Sequence, residues 1–112
     1  MLGLVVSLGK PEQIARSRDG EIELGYPQLT ARFADDKLVE VSANAKTISL
    51  GSVVVQFEKL GNFLQQNDDS VFDCIGFLVS PKYGIAFDPE FPSWVTAFPK
   101  ERLLVWQQIA RR

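Results

Sequence analysis

The sequence predicts an α+β domain: a single, mostly antiparallel sheet of five or six strands with two main helices packed on one face. Three observations carry this reading. Gly25 to Val41 reads as two strands closed by a tight turn, two later stretches show helical apolar spacing, and strand-like runs recur in both halves. The 112 residues suit one domain spanning 1–112, able to bury roughly two-thirds of its unfolded surface.

Taken in order, Leu2 to Leu8 is a short apolar run, and Gly9 with Pro11 is a good helix stop. It reads as one or two helical turns, while Val5-Val6 also suits a strand. Lys10 to Gly20 is polar, with a turn of helix at Glu12–Ala15 behind Pro11. Glu21 to Leu24 alternates as a strand. In the next strand Leu29, Ala31 and Phe33 alternate with Gln28, Thr30 and Arg32. Ala34-Asp35-Asp36-Lys37 turns the chain, and Leu38 to Val41 returns along it. Ser42 to Ile48 reads as a connection that can be extended at Lys46 to Ile48.

The first main helix is expected to be capped by Ser49 or Ser52. Val53, Val54, Phe57, Leu60, Phe63 and Leu64 fall at helical spacings, with Gly61 either interrupting or ending the run. Val71 to Val79 is the most apolar run and reads as a central strand turned by Ser80-Pro81-Lys82. Tyr83–Asp88 and Trp94–Phe98 follow as strands. A last helix opens at Pro99, with Leu103, Leu104, Val105, Trp106 and Ile109 on a broad apolar face. The halves look weakly duplicated as two α-βββ units, with Tyr26 answering Tyr83 and Phe33 answering Phe87.

Composition narrows the chemistry. There is no histidine, which removes the usual general base, the Ser-His and Cys-His pairs and the commonest metal ligand. No glycine-rich phosphate cradle occurs. No catalytic, metal or cofactor site is expected. Cys74 is the single cysteine, set in the most apolar run, and reads as a buried structural thiol in a cytoplasmic protein. Between Asp35 and Glu101 ten acids face five bases, so neither nucleic acid nor a membrane surface is an expected partner. The acidic clusters Asp35-Asp36, Asp68-Asp69-Asp73 and Asp88-Glu90 fall at turns, where Asp bonds the local backbone. Phe91 and Trp94, bounded by Pro89 and Pro92, are the aromatics expected at the surface. The alternative is a loop whose aromatics fold inward.

Gly25-Tyr26-Pro27-Gln28-Leu29 through Phe33, with Asp35-Asp36-Lys37-Leu38 behind it, resembles a pattern of small cytoplasmic bacterial proteins. These include the immunity proteins of interbacterial (polymorphic or contact-dependent) toxin systems, and Tyr83 to Asp88 looks like a second copy of the pattern. The resemblance implies a non-catalytic inhibitor that binds a cognate toxin domain through a divergent surface, with no fixed residues to carry over. On that reading Asp68, Asp69, Asp73, Asp88 and Glu90 steer a basic partner surface, and Phe91 and Trp94 anchor it. Two other readings stand beside it. One is a self-associating structural protein, a homodimer built on the apolar start and the Trp106 helix. The other is a small-ligand carrier or enzyme with a pocket between sheet and helices.

Overall fold

The computed structural model describes residues 10–17, 20–91 and 93–110. Four strands, β1 (Gln13–Arg16), β2 (Ile22–Tyr26), β3 (Leu29–Ala34) and β4 (Lys37–Asn44), form an antiparallel meander. The hairpin of β3 and β4 closes where the alternation places it. Asp35 and Asp36 take φ of 52° and 64°, the double left-handed geometry of a type I′ turn, which Asp tolerates better than most residues. β1 replaces the helical turn expected at Glu12–Ala15. Its residues pair with β2 from Gln13↔Gly25 to Arg16↔Ile22, and that ladder outweighs the local signal of Pro11. The expected segment Leu2–Leu8 lies outside the described residues.

A separate two-stranded hairpin follows, β5 (Thr47–Leu50) and β6 (Val53–Gln56), leading directly into helix α1 (Phe57–Asn67). The helix was expected to include Val53 and Val54. Instead Gly51, at φ 66°, turns the chain between Leu50 and Val53, and the β-branched run Val53-Val54-Val55 pairs as strand. The helix N-cap is Gln56, not Ser49 or Ser52. Gly61 does not end the helix, which buries Phe57, Leu60 and Leu64 on one side and runs on to Asn67.

The second meander is β7 (Phe72–Cys74), β8 (Phe77–Ser80), β9 (Ile85–Phe87) and β10 (Trp94–Ala97). The apolar run Val71–Val79 is therefore an edge hairpin and not one central strand. Ile75 and Gly76, at φ 42° and 91°, form its two-residue loop. A 3-10 turn (Lys100–Arg102) and helix α2 (Leu103–Ala110) complete the described chain.

β4 pairs with β10, so the two meanders form one eight-stranded sheet in the order β1-β2-β3-β4-β10-β9-β8-β7. Each meander has four strands, not the three expected of each unit, and the last strand of each lies at the centre. Phe33 and Phe87 lie in third strands, but Tyr26 is in a second strand whereas Tyr83 lies in a turn. The sheet has eight strands, not five or six.

The two helices lie on opposite faces, which corrects the expectation of one shared face. Paired residues of an antiparallel ladder share a face and neighbours alternate. The row Leu78, Phe87, Val95, Ala43, Leu29, Tyr26 crosses six strands on one face. Here Leu78, Phe87 and Val95 form a buried core with Phe57, Leu60 and Leu64 of α1 and Val55 of β6. The next row, Phe72, Val79, Ala86, Thr96, Ser42, Thr30, Gly25, Gln13, crosses all eight strands on the other face. Val79, Ala86, Cys74 and Phe98 there pack against Leu103, Trp106 and Ile109. Beyond α2 the row turns small and polar. No helix among the described residues covers that part of the face.

Two glycines separate conformational need from helix cost. A Cβ on Gly84, at φ 68°, would meet the Phe98 carbonyl oxygen at 2.8 Å, whereas one on Gly61 meets Phe87 Cζ at an ordinary 3.7 Å. Gly84→Ala should therefore destabilise the fold by about 2–3 kcal/mol. Gly61→Ala should stabilise it by about 0.5–1 kcal/mol. Urea unfolding of both variants checks the opposite signs.

Candidate functional site

On the α2 face, β4 and β10 bring Ser42 and Thr96 side by side, and their hydroxyls share a 2.7 Å hydrogen bond. They form the floor of a cleft of about 350 Å³ whose other lining residues are Phe77, Asp88, Phe91 and Trp94. Phe77 also lines a second cavity, of about 240 Å³, together with Arg32, Glu40, Cys74, Ile75, Arg102, Val105, Trp106 and Ile109. Both spaces have Phe77 in their lining, so they adjoin on the α2 face as one grooved surface between the hairpin tip of β7 and β8, helix α2 and the loop after β9.

The groove's walls differ in chemistry. The aromatic wall is Phe77 and Trp106, their ring centroids 5.6 Å apart, and buried Phe98 backs Trp106 at 5.8 Å. Trp106 Nε1 is buried with no hydrogen-bond partner among the described residues, an unmade bond that costs stability. The opposite wall is ionic. Glu23, Arg32 and Glu40 stand directly opposite one another on three neighbouring strands. Arg102 reaches this row from the 3-10 turn. It binds Glu21 through two bonds of 2.8 and 2.9 Å and donates Nε to Glu40 at 3.1 Å. Arg32 lies 2.6 Å from Glu23, 3.5 Å from Glu21 and 3.9 Å from Glu40. Two arginines against three glutamates leave a net charge of −1.

Within this network the hydrogen bond from Arg102 lowers the pKa of Glu21 in spite of burial, and Glu21 raises that of Arg102. The Arg102 side chain is 11% exposed, and those of Glu21 and Glu40 are 16% and 14%, so these pairs are poorly screened. Arg32 and Glu23, each more than a third exposed, contribute less.

The expected contact residues divide between the faces. Asp88, Phe91 and Trp94 come together in the cleft. Phe91 is 61% exposed, so the loop does not fold its aromatics inward as a set; Trp94 is half-buried. Asp88 holds the loop, accepting the Glu90 N–H on its carboxylate and the Phe91 N–H on its carbonyl, both at 2.9 Å. Glu90 is exposed on that loop. Asp69 and Asp73 lie apart from it, in a shallow depression of about 310 Å³ with Asp68, Gln65, Val71, Phe72 and Leu78. Asp73 pairs with Leu78 and so belongs to the α1 face.

Asp68 is a fold residue. It is 4% exposed, and its carboxylate accepts bonds from the Ser70 N–H and hydroxyl, the Ser80 hydroxyl and the Lys82 N–H. These tie the end of α1 to the turn after β8 and leave the carboxylate fully engaged. Burial pushes its pKa up, but the bonds from Ser70, Ser80 and Lys82 outweigh it and hold the group at about 2. Cys74 is fully buried, its thiol donating to the Trp106 carbonyl at 3.5 Å, and burial raises its pKa. Among the described residues no three metal-capable side chains cluster. No helix among them is long and apolar enough to cross a membrane.

Residues that sequence reasoning missed are Ile75, Phe77 and the ionic wall. Ile75 is 81% exposed at φ 42°, a left-handed conformation that β-branched side chains resist. Gly76 beside it was the available signal for a turn. No known protein family matches this chain, and no curated protein or solved structure is similar to it.

Two outcomes follow for stability. Asp68 ionises more readily folded than unfolded, so as pH falls the unfolded chain takes up the proton first. Its contribution is complete above pH 4 and disappears as pH falls toward 2; at neutral pH it is about 2 kcal/mol. Asp68→Asn should remove most of that and flatten the stability profile between pH 4 and 2, read by urea unfolding at each pH. Arg102→Ala leaves Glu21 and Glu40 only their longer contacts with the more exposed Arg32 and should cost about 2–3 kcal/mol. Arg102→Lys, lacking the bidentate fork, should recover less than half of it.

Proposed function

We propose that this chain is a non-catalytic binding protein that receives a protein partner along the α2-face groove. The observation that carries this is Ile75. An isoleucine at φ 42° strains the backbone, and at 81% exposure it gains nothing from burial within the chain. Such a residue is unfavourable for the fold on both counts, and a contact outside the chain accounts for it. Phe91, 61% exposed, stands on the loop at the other end of the groove. The two projecting apolar side chains flank aromatic and hydroxyl surface, the arrangement of anchors around a cleft.

The narrower proposal is that the partner is a toxin domain, which this chain neutralises by occupying it. Asp88 and Glu90 beside Phe91, and the ionic wall with its surplus acid, suit a basic partner surface and would speed encounter at low salt. Asp69 and Asp73, on the other face, would contribute to long-range steering without touching the partner.

Co-expression with the product of the neighbouring reading frame tests the toxin version: a one-to-one complex and rescue from toxicity are expected, and neither appearing would remove it. Within such a complex, Ile75→Asn should stabilise the free protein by about 1 kcal/mol, since Asn accepts the left-handed geometry. The same change should weaken binding at least ten-fold by calorimetry. Unchanged affinity for both Ile75→Asn and Phe91→Ser would contradict the groove as the contact surface.

A further inference from the structure

The β5 and β6 hairpin lies outside the eight-stranded sheet, and two strands alone are marginal in water. The two-residue loop at Gly51-Ser52 makes Leu50 and Val53 the hydrogen-bonded closing pair. Alternation then turns the N–H and C=O of Val54 outward, and neither bonds another segment among the described residues. Along this edge runs a groove of about 610 Å³ lined by all four β6 residues and by Lys59, Asn62, Phe63 and Gln66. Val53 is 44% exposed and Val54 66%.

Free edges are ordinarily guarded by charge, proline or a bulge. The edge strands of the large sheet are guarded, β1 by Arg16 and β7 by Asp73. From Ile48 to Phe57 the chain carries neither charge nor proline. Unpaired among the described residues, this uncharged, β-branched strand is its own complement: an antiparallel copy presents the same outward N–H and C=O at Val54.

We infer that β6 is a self-association surface, on which a second copy of this chain adds its own β6 antiparallel about a two-fold axis at Val54. The product is a four-stranded sheet with β5 at each end. The pairing is isologous, so one surface supplies both sides of the contact and assembly closes at the dimer. The two Val54 residues exchange both main-chain bonds across the axis, with Cα atoms about 5.5 Å apart. This surface is distinct from the α2-face groove, so dimerisation and partner binding are separable.

Light scattering across low to high micromolar concentration tests it. The expected mass rises from 12.5 kDa to twice that, and Val54→Lys holds the chain at the lower value at every concentration. Val54 is exposed, so this substitution leaves the fold intact. Oxidation of Val54→Cys should give a covalent dimer, because the thiols sit within disulfide reach, whereas Ser49→Cys on the outer strand β5 should not. Buried Cys74 does not compete. A single 12.5 kDa species throughout would overturn the inference, including the case in which the edge takes up an extended segment of another protein. So would a dimer that survives Val54→Lys. Phe91→Ser should leave the dimer unchanged, which keeps this result independent of the groove.

Discussion

The pairing of β4 with β10 is the interaction on which the rest of the molecule depends. It links strands 50 residues apart in sequence, Trp94↔Asn44 to Ala97↔Val41, and is reinforced by the Ser42–Thr96 hydroxyl bond and by the Ala45 N–H on the Ser93 carbonyl at 2.6 Å. Without it each meander would be a four-stranded sheet with one face covered incompletely. With it, Ser42 from the first unit faces Trp94 and Phe77 from the second. Arg102, just past β10, comes within reach of Glu21 and Glu40 on the far unit. The groove is a consequence of the seam.

The two faces then divide the work. The α1 face is apolar right across the six-strand row from Leu78 to Tyr26, and Leu24, Ala31 and Phe33 are buried on its first-unit side. The α2 face is apolar only beneath the helix. Past Ala86 its residues become Thr96, Ser42 and Thr30, small enough to leave space and polar enough to stay wetted. The short helix does not reach this remainder, which no other described helix covers, and its rim bears the strained Ile75 and the exposed Phe91. The ionic wall keeps Arg102 and the 3-10 turn in place, so the start of α2 and the groove behind it are held by the same contacts.

Local chemistry made parts of this legible from sequence, and long-range pairing hid the rest. The Asp35-Asp36 hairpin could be read because both its alternation and its turn residues are local. Its register could not be followed outward. Counting from Ala34↔Lys37 places Arg32 opposite Val39, but a bulge after Arg32 shifts it to Glu40, which creates the ionic row. Val53 and Val54 sit at helical spacing from Phe57, and periodicity alone could not reveal that Gly51-Ser52 turns a hairpin first. The aromatic loop around Phe91 and Trp94 was legible from its prolines. That it shares a cleft with Ser42, while Asp69 and Asp73 lie on the other face, depends on strand parity across the seam. Arg102 and Glu21 are 81 residues apart, beyond any local signal.

Native-state amide hydrogen exchange tests the seam most directly, since it reads the opening free energy of each strand in the isolated protein. The amides of 41–44 and 94–97 that bond across β4 and β10 should be among the slowest and should share one opening free energy with the bonded amides of β3 and β9. If instead the strands of the two meanders opened with clearly different free energies, and the β4–β10 amides exchanged early, the sheet would be two units in contact. The groove would then not be the preformed surface described here.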